Sequence, residues 1–400
     1  MEIPTRGDLV VDFNGATPAD RSMEKRRLRK HSVLNVIRRH GPLSRADITK
    51  KSGFNLPSVS TLVDELVADG LVLEEEAKAV PRGRRPIPVY LNVDAASIVG
   101  LDIGKRSTIM VVINLGGKLL TRYECKTPAL KKSQAYADWA RKVMEKVFRE
   151  HPPSTPLSGI GVAIPGMNSH PDHLSPAEMI RKALTDRFGV PTLVEQDGRM
   201  MALGSHWFGA GRDLANFLVI NLGHGTGMGV FIDGRLYRGK GGFAGEIGYI
   251  PIGDEDIDGY ADCPSAMENM ASGAGLIRRA RARGLEVDDV SQLAEMARGG
   301  DRRALKAFKD FAQRLARGIA TVANLFDPEA IILSGRVCRS ADLFLEDLRA
   351  ETARHTLGPI MQSTPIILSN LDVDLGPMGA AAAILHQIFN SSHVQVDEVI

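Results

Sequence analysis

Cysteine is scarce in this chain: Cys125, Cys263 and Cys338 are the three in 400 residues. An odd and widely spaced set excludes a disulfide framework, and no Cys-x-x-Cys pair is there to start a metal site. Long apolar runs are missing as well. No stretch reaches the roughly 18 residues of a membrane span, and the start, Met1 to Asp20, lacks the basic and apolar regions of a signal peptide. We therefore expect a cytoplasmic protein. Net charge is also nearly absent, since 50 Lys and Arg against 48 Asp and Glu leave +2. What is present is 44% apolar and 24% charged residues, a globular composition in a chain long enough for more than one domain with its own core.

The charge is unevenly placed. From Arg21 to Val63 eleven Lys and Arg accompany only two acids, Glu24 and Asp47. Such a patch attracts polyanions, because neutralising phosphates releases counterions. The same segment has the pattern of a winged helix-turn-helix. Leu28, Val33, Leu34, Val36 and Ile37 predict an amphipathic helix, stopped by Gly41-Pro42. Ser44, with Asp47 three residues on, predicts an N-cap and a short helix to about Ser52, ended by Gly53. Asn55-Leu56-Pro57 opens a third helix with Val59, Leu62, Val63 and Leu66 as its buried stripe. Pro57, Ser58, Ser60 and Thr61 then face outward, small enough for the helix to enter a major groove and reach base edges; Ser44 and Arg45 join them as candidate DNA contacts. Strands around Leu71–Leu73 and Val89–Leu91 flank the loop Pro81 to Pro86. Its Arg82, Arg84 and Arg85 suit a narrow, electronegative minor groove. A basic helical dimerisation module is the alternative that charge alone would allow.

From Ser97 the pattern becomes α/β. Ile98 to Gly104, Thr108 to Leu115 and Leu119 to about Cys125 predict strands, Ser133 to about Arg149 a helix, and Gly159 to Pro165 a strand entering a tight loop at Gly166. Phe217 to Gly234 repeats the theme as strand, glycine-rich turn and returning strand, a turn whose backbone N–H groups can hold phosphate.

The order of these elements resembles the ROK family, whose members are sugar-responsive bacterial repressors and sugar kinases. The carriers are the Arg82 to Pro86 wing, Asp102-Ile103-Gly104, Ala163-Ile164-Pro165-Gly166, Val194-Glu195-Gln196-Asp197 and Leu222 to Gly234. They continue through Gly245-Glu246-Ile247-Gly248, Met267-Glu268, Asn324 to Pro328 and Gly379-Ala380-Ala381. The resemblance implies an α/β chain: an N-terminal winged helix-turn-helix followed by a two-lobed, actin-like (ribonuclease-H-like) domain. We expect a disordered tail over 1–20, the winged helix over 21–92, one lobe over 95–200, a second over 201–375, and over 376–400 a C-terminal helix returning to the first lobe and a tail.

The resemblance also implies sites. The first phosphate loop of family kinases reads Asp-x-Gly-Gly-Thr, whereas this chain has Asp102-Ile103-Gly104-Lys105-Arg106, and their late Gly-Gly is Ser334-Gly335-Arg336 here. Long cationic side chains obstruct close backbone approach, so no ATP is expected. The family's sugar pocket uses an Asn-Asp pair, the Asp as general base, and two later glutamates. Asp197, Glu246 and Glu268 fall on those positions, and Gln196 replaces the Asn with a longer amide. Tyr249 takes the place of a zinc-binding histidine and joins the candidate sugar contacts. Gly259, Ala261 and Ala266 stand where the three thiolates belong, with Cys263 between ligand positions, so no structural zinc is expected. The expected partners are a double-stranded DNA operator, a sugar or sugar derivative that releases DNA, and a second copy of the chain. Two alternatives remain at this point: a sugar kinase, and a DNA-binding protein whose degenerate sensor serves protein contact.

Overall fold

Caps and glycines delimit the first unit. The computed structural model describes residues 18–75, 87–166, 175–253 and 266–389. Helix α1 (Pro18–His40) starts three residues before the expected boundary and stops ahead of Gly41-Pro42. After the short strand β1 (Leu43–Ser44), helix α2 (Arg45–Ser52) is capped by Ser44. The Ser44 hydroxyl accepts the Asp47 N–H at 3.1 Å and donates to the Asp47 carboxylate at 2.6 Å. Gly53, at φ 70°, closes α2 in the left-handed conformation that glycine adopts without strain. Asn55 caps α3 (Leu56–Ala68) by accepting the Ser58 N–H at 2.9 Å. Strands β2 (Val72–Glu74) and β3 (Pro88–Leu91) complete an antiparallel sheet in the order β1-β3-β2. Val59, Leu62, Val63 and Leu66 are buried as expected and pack with Val33, Leu34, Ile37 and Ile48.

Two further sheets share one design. The first contains β4 (Ser97–Ile103), β5 (Ser107–Asn114), β6 (Leu119–Lys126), β7 (Leu157–Ile164) and β8 (Thr192–Gln196) in the order β6-β5-β4-β7-β8. Its helices are α4 (Ser133–Glu150) and α5 (Pro176–Phe188); α6 (Asp197–Phe208) leaves the end of β8. The second sheet contains β9 (Phe217–Leu222), β10 (Thr226–Ile232), β11 (Arg235–Tyr237), β12 (Ala330–Ser334) and β13 (Ile366–Leu368) in the order β11-β10-β9-β12-β13. Each is an antiparallel three-strand meander extended by two parallel strands, which makes the two lobes repeats of one topology. Helices α7 (Met267–Ala271), α8 (Gly273–Ala282), α9 (Val290–Arg298), α10 (Arg302–Phe326), α11 (Leu345–His355) and α12 (Gly358–Ser363) cover the second sheet or link its strands. The long α10 turns an apolar stripe from Ala304 to Ala323 into that core.

The lobes are joined by α6 and α13 (Leu375–Phe389). The expected division at 200/201 therefore falls inside one continuous helix. Helix α13 rests on β4 and β7 of the first sheet. Glycine makes this approach possible: a Cβ on Gly100 would stand 1.9 Å from the Pro377 carbonyl oxygen, and one on Gly161 1.8 Å from that of Ala380. The core of the N-terminal unit is continuous with α6 and α13, through Met201, Leu203, Trp207 and Phe389. No described helix is long and apolar enough to cross a membrane.

Candidate functional site

Four of the five expected sugar contacts converge where α6 leaves the first sheet. Gln196 ends β8 and Asp197 opens α6, so both lie at the strand-to-helix turn. Glu246 precedes the short 3-10 turn Ile247–Tyr249, and Glu268 lies in the first turn of α7. Gln196 Nε2 donates to Glu246 Oε1 at 2.5 Å, and the Thr226 N–H donates to Glu268 Oε2 at 3.1 Å. Glycines line the approach. A Cβ on Gly225 would lie 2.6 Å from Glu268 Oε2, one on Gly166 3.3 Å from Glu246 Oε1, and one on Gly227 3.7 Å from Asp197 Oδ1. Tyr249 is 46% exposed. Its backbone N–H donates to the Glu246 carbonyl at 3.2 Å, and no contact between its hydroxyl and the four is seen among the described residues.

The electrostatics are those of a carboxylate pocket short of partners. Burial pushes Asp197 up to about 6, helped by the charges of Glu246 and Glu268 and opposed by the Gly198 N–H at 2.7 Å and Asn221 Nδ2 at 3.0 Å. Burial also raises Glu246, against the pull of Arg199 and the Gln196 amide. The Gln196 Oε1 atom is buried with no donor among the described residues. Buried amide oxygens are ordinarily satisfied, and an incoming hydroxyl would satisfy this one. Sequence reasoning missed two supporting residues. Asn221, at the end of β9, steers Asp197. Arg199, one turn into α6, is buried, bound to Glu195 at 2.8 Å and to the Gly242 carbonyl at 2.5 Å, and holds Glu246 by its charge. The only sequence signal for either was its place next to a quoted motif.

The cleft that would border a nucleotide is crossed by arginines. Arg336 donates to Ser107 Oγ at 2.7 Å and pairs with Glu124, tying the second lobe to the first. Arg122 pairs with Asp374 at 2.8 Å, and Arg106 donates to the Asp288 carbonyl at 3.3 Å. Burial drives His224, in the glycine-rich turn, down to about 4, and the charges of Lys105, Arg106 and Arg278 add to the effect. Asp102 is pushed up to about 8, first by burial and then by Asp197, with Arg336 opposing. Ala266 is buried at the start of α7, and burial pushes the Cys338 thiol up to about 12. Gly259, Ala261 and Cys263 lie outside the described residues. Among the described residues no cluster of His, Cys, Asp and Glu has the arrangement of a metal site.

In the N-terminal unit, Pro57 and Thr61 are exposed and Ser58 and Ser60 half-buried at the front of α3. Arg45 lies in a network of protein partners. Its guanidinium donates to Asp64 at 2.6 Å, to Glu74 at 2.9 Å and to the Ser60 carbonyl at 3.3 Å, so it ties α2 to α3 and β2. The Ser44 hydroxyl caps α2 through its two bonds to Asp47. Arg82, Arg84 and Arg85 lie outside the described residues. Lys50 and Lys51, in the last turn of α2, are exposed.

Comparison with known proteins agrees with this geometry. The model of the ROK family matches residues 98–387. The chain belongs to the ROK family. A MarR family model matches residues 27–85, on the winged unit. The chain is 28% identical to the xylose repressor of Caldicellulosiruptor bescii, over 81% of this chain and 87% of that protein. It is 26% identical to the xylose repressor of Bacillus subtilis, over 92% and 97%, and 25% identical to the DNA-binding transcriptional dual regulator NagC of Escherichia coli, over 92% and 95%. Among solved structures, a ROK family transcriptional regulator homologous to the E. coli MLC protein superposes with a TM-score of 0.79 at 22% identity, covering 91% of this chain and 97% of the other. A ROK family glucokinase from Streptomyces griseus, solved with glucose and AMPPNP, gives 0.62 at 26% identity over 72% of this chain and 99% of the kinase. The ROK kinase thus covers 72% of this chain and the ROK regulator 91%.

Proposed function

We propose that this ROK protein is a sequence-specific DNA-binding repressor of carbohydrate genes, controlled by a sugar or sugar derivative held between its lobes. The observation that carries the reading is the joining of two parts in one chain. Gln196, Asp197, Glu246 and Glu268 form a cluster of hydrogen-bonding groups with an unsatisfied buried amide oxygen, and the winged unit packs directly on the helix that starts in that cluster. Adjacent carboxylates accept hydrogen bonds from neighbouring sugar hydroxyls. Pro57, Ser58, Ser60 and Thr61 enter the major groove, with the arginines of the 81–86 loop in the minor groove. Two copies of the chain read two half-sites.

Phosphoryl transfer is not part of this reading. Lys105 and Arg106 replace the small residues that let a phosphate approach the backbone, and Arg336 closes on Glu124 and Ser107 across the same cleft. Asp197 then serves as a sugar contact. Zinc has no place in it either, because Tyr249, Gly259, Ala261 and Ala266 cannot supply the His and three thiolates of a tetrahedral site. Effector binding closes the lobes and releases DNA; a coupling of about 1 to 3 kcal/mol is enough to change operator affinity by roughly 5- to 150-fold.

Calorimetric titration of the full chain with D-xylose, N-acetyl-D-glucosamine, D-glucose and their phosphates tests the pocket, with Glu246→Ala as the control. One sugar should bind to the native chain and not to the variant; binding by none removes the effector claim. Duplex selection from a random pool tests the head, and failure to enrich any sequence removes the DNA claim. Robust ADP release with any of these sugars would overturn the non-kinase reading.

A further inference from the structure

We propose that Arg38 is the positioning residue through which the pocket sets the winged unit, and that α6 is the rod that connects them. The inference rests on the pocket reading given above and adds the route. Helix α6 has 12 residues and so spans about 18 Å. Asp197 occupies its first position, among the pocket carboxylates. Trp207 lies at the far end, and there α6 meets the winged unit.

The contact is built from one cation and two rings. The Arg38 guanidinium carbon lies 4.5 Å from the centroid of Trp207 and 5.1 Å from that of Phe389, the last residue of α13. Arg38 Nε donates to Asn35 Oδ1 at 3.1 Å, and Asn35 Nδ2 donates to the Phe389 carbonyl at 3.2 Å. One turn of α1 is thereby fixed to both interlobe helices at once. Burial pushes Arg38 down to about 10, with Arg39 and Arg212 adding repulsion, so the guanidinium remains charged at neutral pH while partly withdrawn from water. A cation in that condition gains more from an aromatic face than one in solvent. The Trp207 indole N–H is buried with no acceptor among the described residues, so what the ring offers here is its face. Trp207 stands edge-on to His386 at 6.1 Å, and His206 stacks on Phe231 at 4.6 Å. Burial drives both histidines down to about 4, so at physiological pH neither adds a charge beside the Arg38 guanidinium at these rings.

At two points helix α6 meets its neighbours backbone to backbone, with no side chain between them. A Cβ on Gly229 of β10 would stand 2.2 Å from the Gly198 carbonyl oxygen, and one on Gly379 of α13 1.8 Å from that of Met200. Backbones in direct contact slide as units. A shift of Asp197 on ligand binding is therefore delivered at Trp207, and Arg38 hands it to α1, whose helix packs on the reading helix α3.

The test is a double-mutant cycle on the full-length chain that needs no knowledge of the effector. Asp197→Ala perturbs the pocket, Arg38→Gln removes the cation, and Arg38→Lys restores a charge over the rings. Hydrogen–deuterium exchange of the amides of residues 33–40 is the readout. Asp197→Ala should change that exchange by about fivefold or more when Arg38 is present, by less than about twofold with Arg38→Gln, and again by several-fold with Arg38→Lys. An equal response with Arg38→Gln, or no response in the native background, overturns the proposal. Should Arg38→Gln fail to fold, Trp207→Leu replaces it with the same expected loss. Sugar titrations that fail while the exchange coupling persists would sink the effector reading and leave this one standing; sugars that bind without coupling do the reverse.

Discussion

Replacing Asp102 with asparagine should stabilise this protein at neutral pH, by an amount that grows with pH. The carboxyl ends β4 against the start of α13, so close that a Cβ on Gly376 would stand 2.3 Å from Oδ2. Burial raises it from 3.8 to about 8, reinforced by Asp197 and opposed by Arg336. Between those two values the folded chain holds a proton that the unfolded chain has released, so stability falls as pH rises through that window. Each pH unit costs about 1.4 kcal/mol, and the accumulated loss is about 4 kcal/mol at pH 7 and roughly 6 kcal/mol above pH 8. Asparagine has the same shape and no charge to bury. Urea unfolding of native chain and Asp102→Asn at pH 5, 6, 7 and 8.5 measures the difference. The gap should open by about 1.4 kcal/mol per unit and level off near pH 8. Parallel curves across the range would mean that Asp102 is ionised in the fold, and the reasoning from burial would be wrong.

Other perturbations test other parts of the structure. Ser44→Ala removes the cap of α2 and should cost about 1 kcal/mol in chemical denaturation, with no loss indicating that water replaces the hydroxyl. Lys50→Ala and Lys51→Ala should each reduce the slope of log affinity for DNA against log salt by about one. Arg45→Met should lower thermal stability and leave that slope unchanged, since its charge is already spent on Asp64 and Glu74; a reduced slope would restore Arg45 to the DNA surface. Gly161→Ala should destabilise by about 3 kcal/mol or more in urea, because its Cβ meets the Ala380 carbonyl oxygen at 1.8 Å.

Much of the local structure was legible in the residues. Ser44 with Asp47, Asn55 before Leu56-Pro57, and Gly53 after Ser52 specify their helix ends by chemistry that acts within four residues, and each does so in the structure. The apolar stripe of α3 was legible for the same reason, since periodicity is a property of the chain itself. Asp197, Glu246 and Glu268 were located through resemblance to a family, because nothing in their immediate neighbours distinguishes a pocket acid from a solvated one.

The sequence by itself determined that a cationic helical unit precedes two α/β lobes, because composition and spacing decide which elements can form. Tertiary structure alone decided what each charge does. Arg45 has no partner visible in its local sequence, and the fold brings Asp64 and Glu74 to it from 19 and 29 residues away. Asn221 acquires a role only when β9 ends beside α6. Arg38 counted merely as one of eleven cations, and its neighbours Trp207 and Phe389 lie far along the chain. Electrostatic and aromatic contacts act over a few ångströms, whereas the residues that make them are joined only by the packing of distant segments.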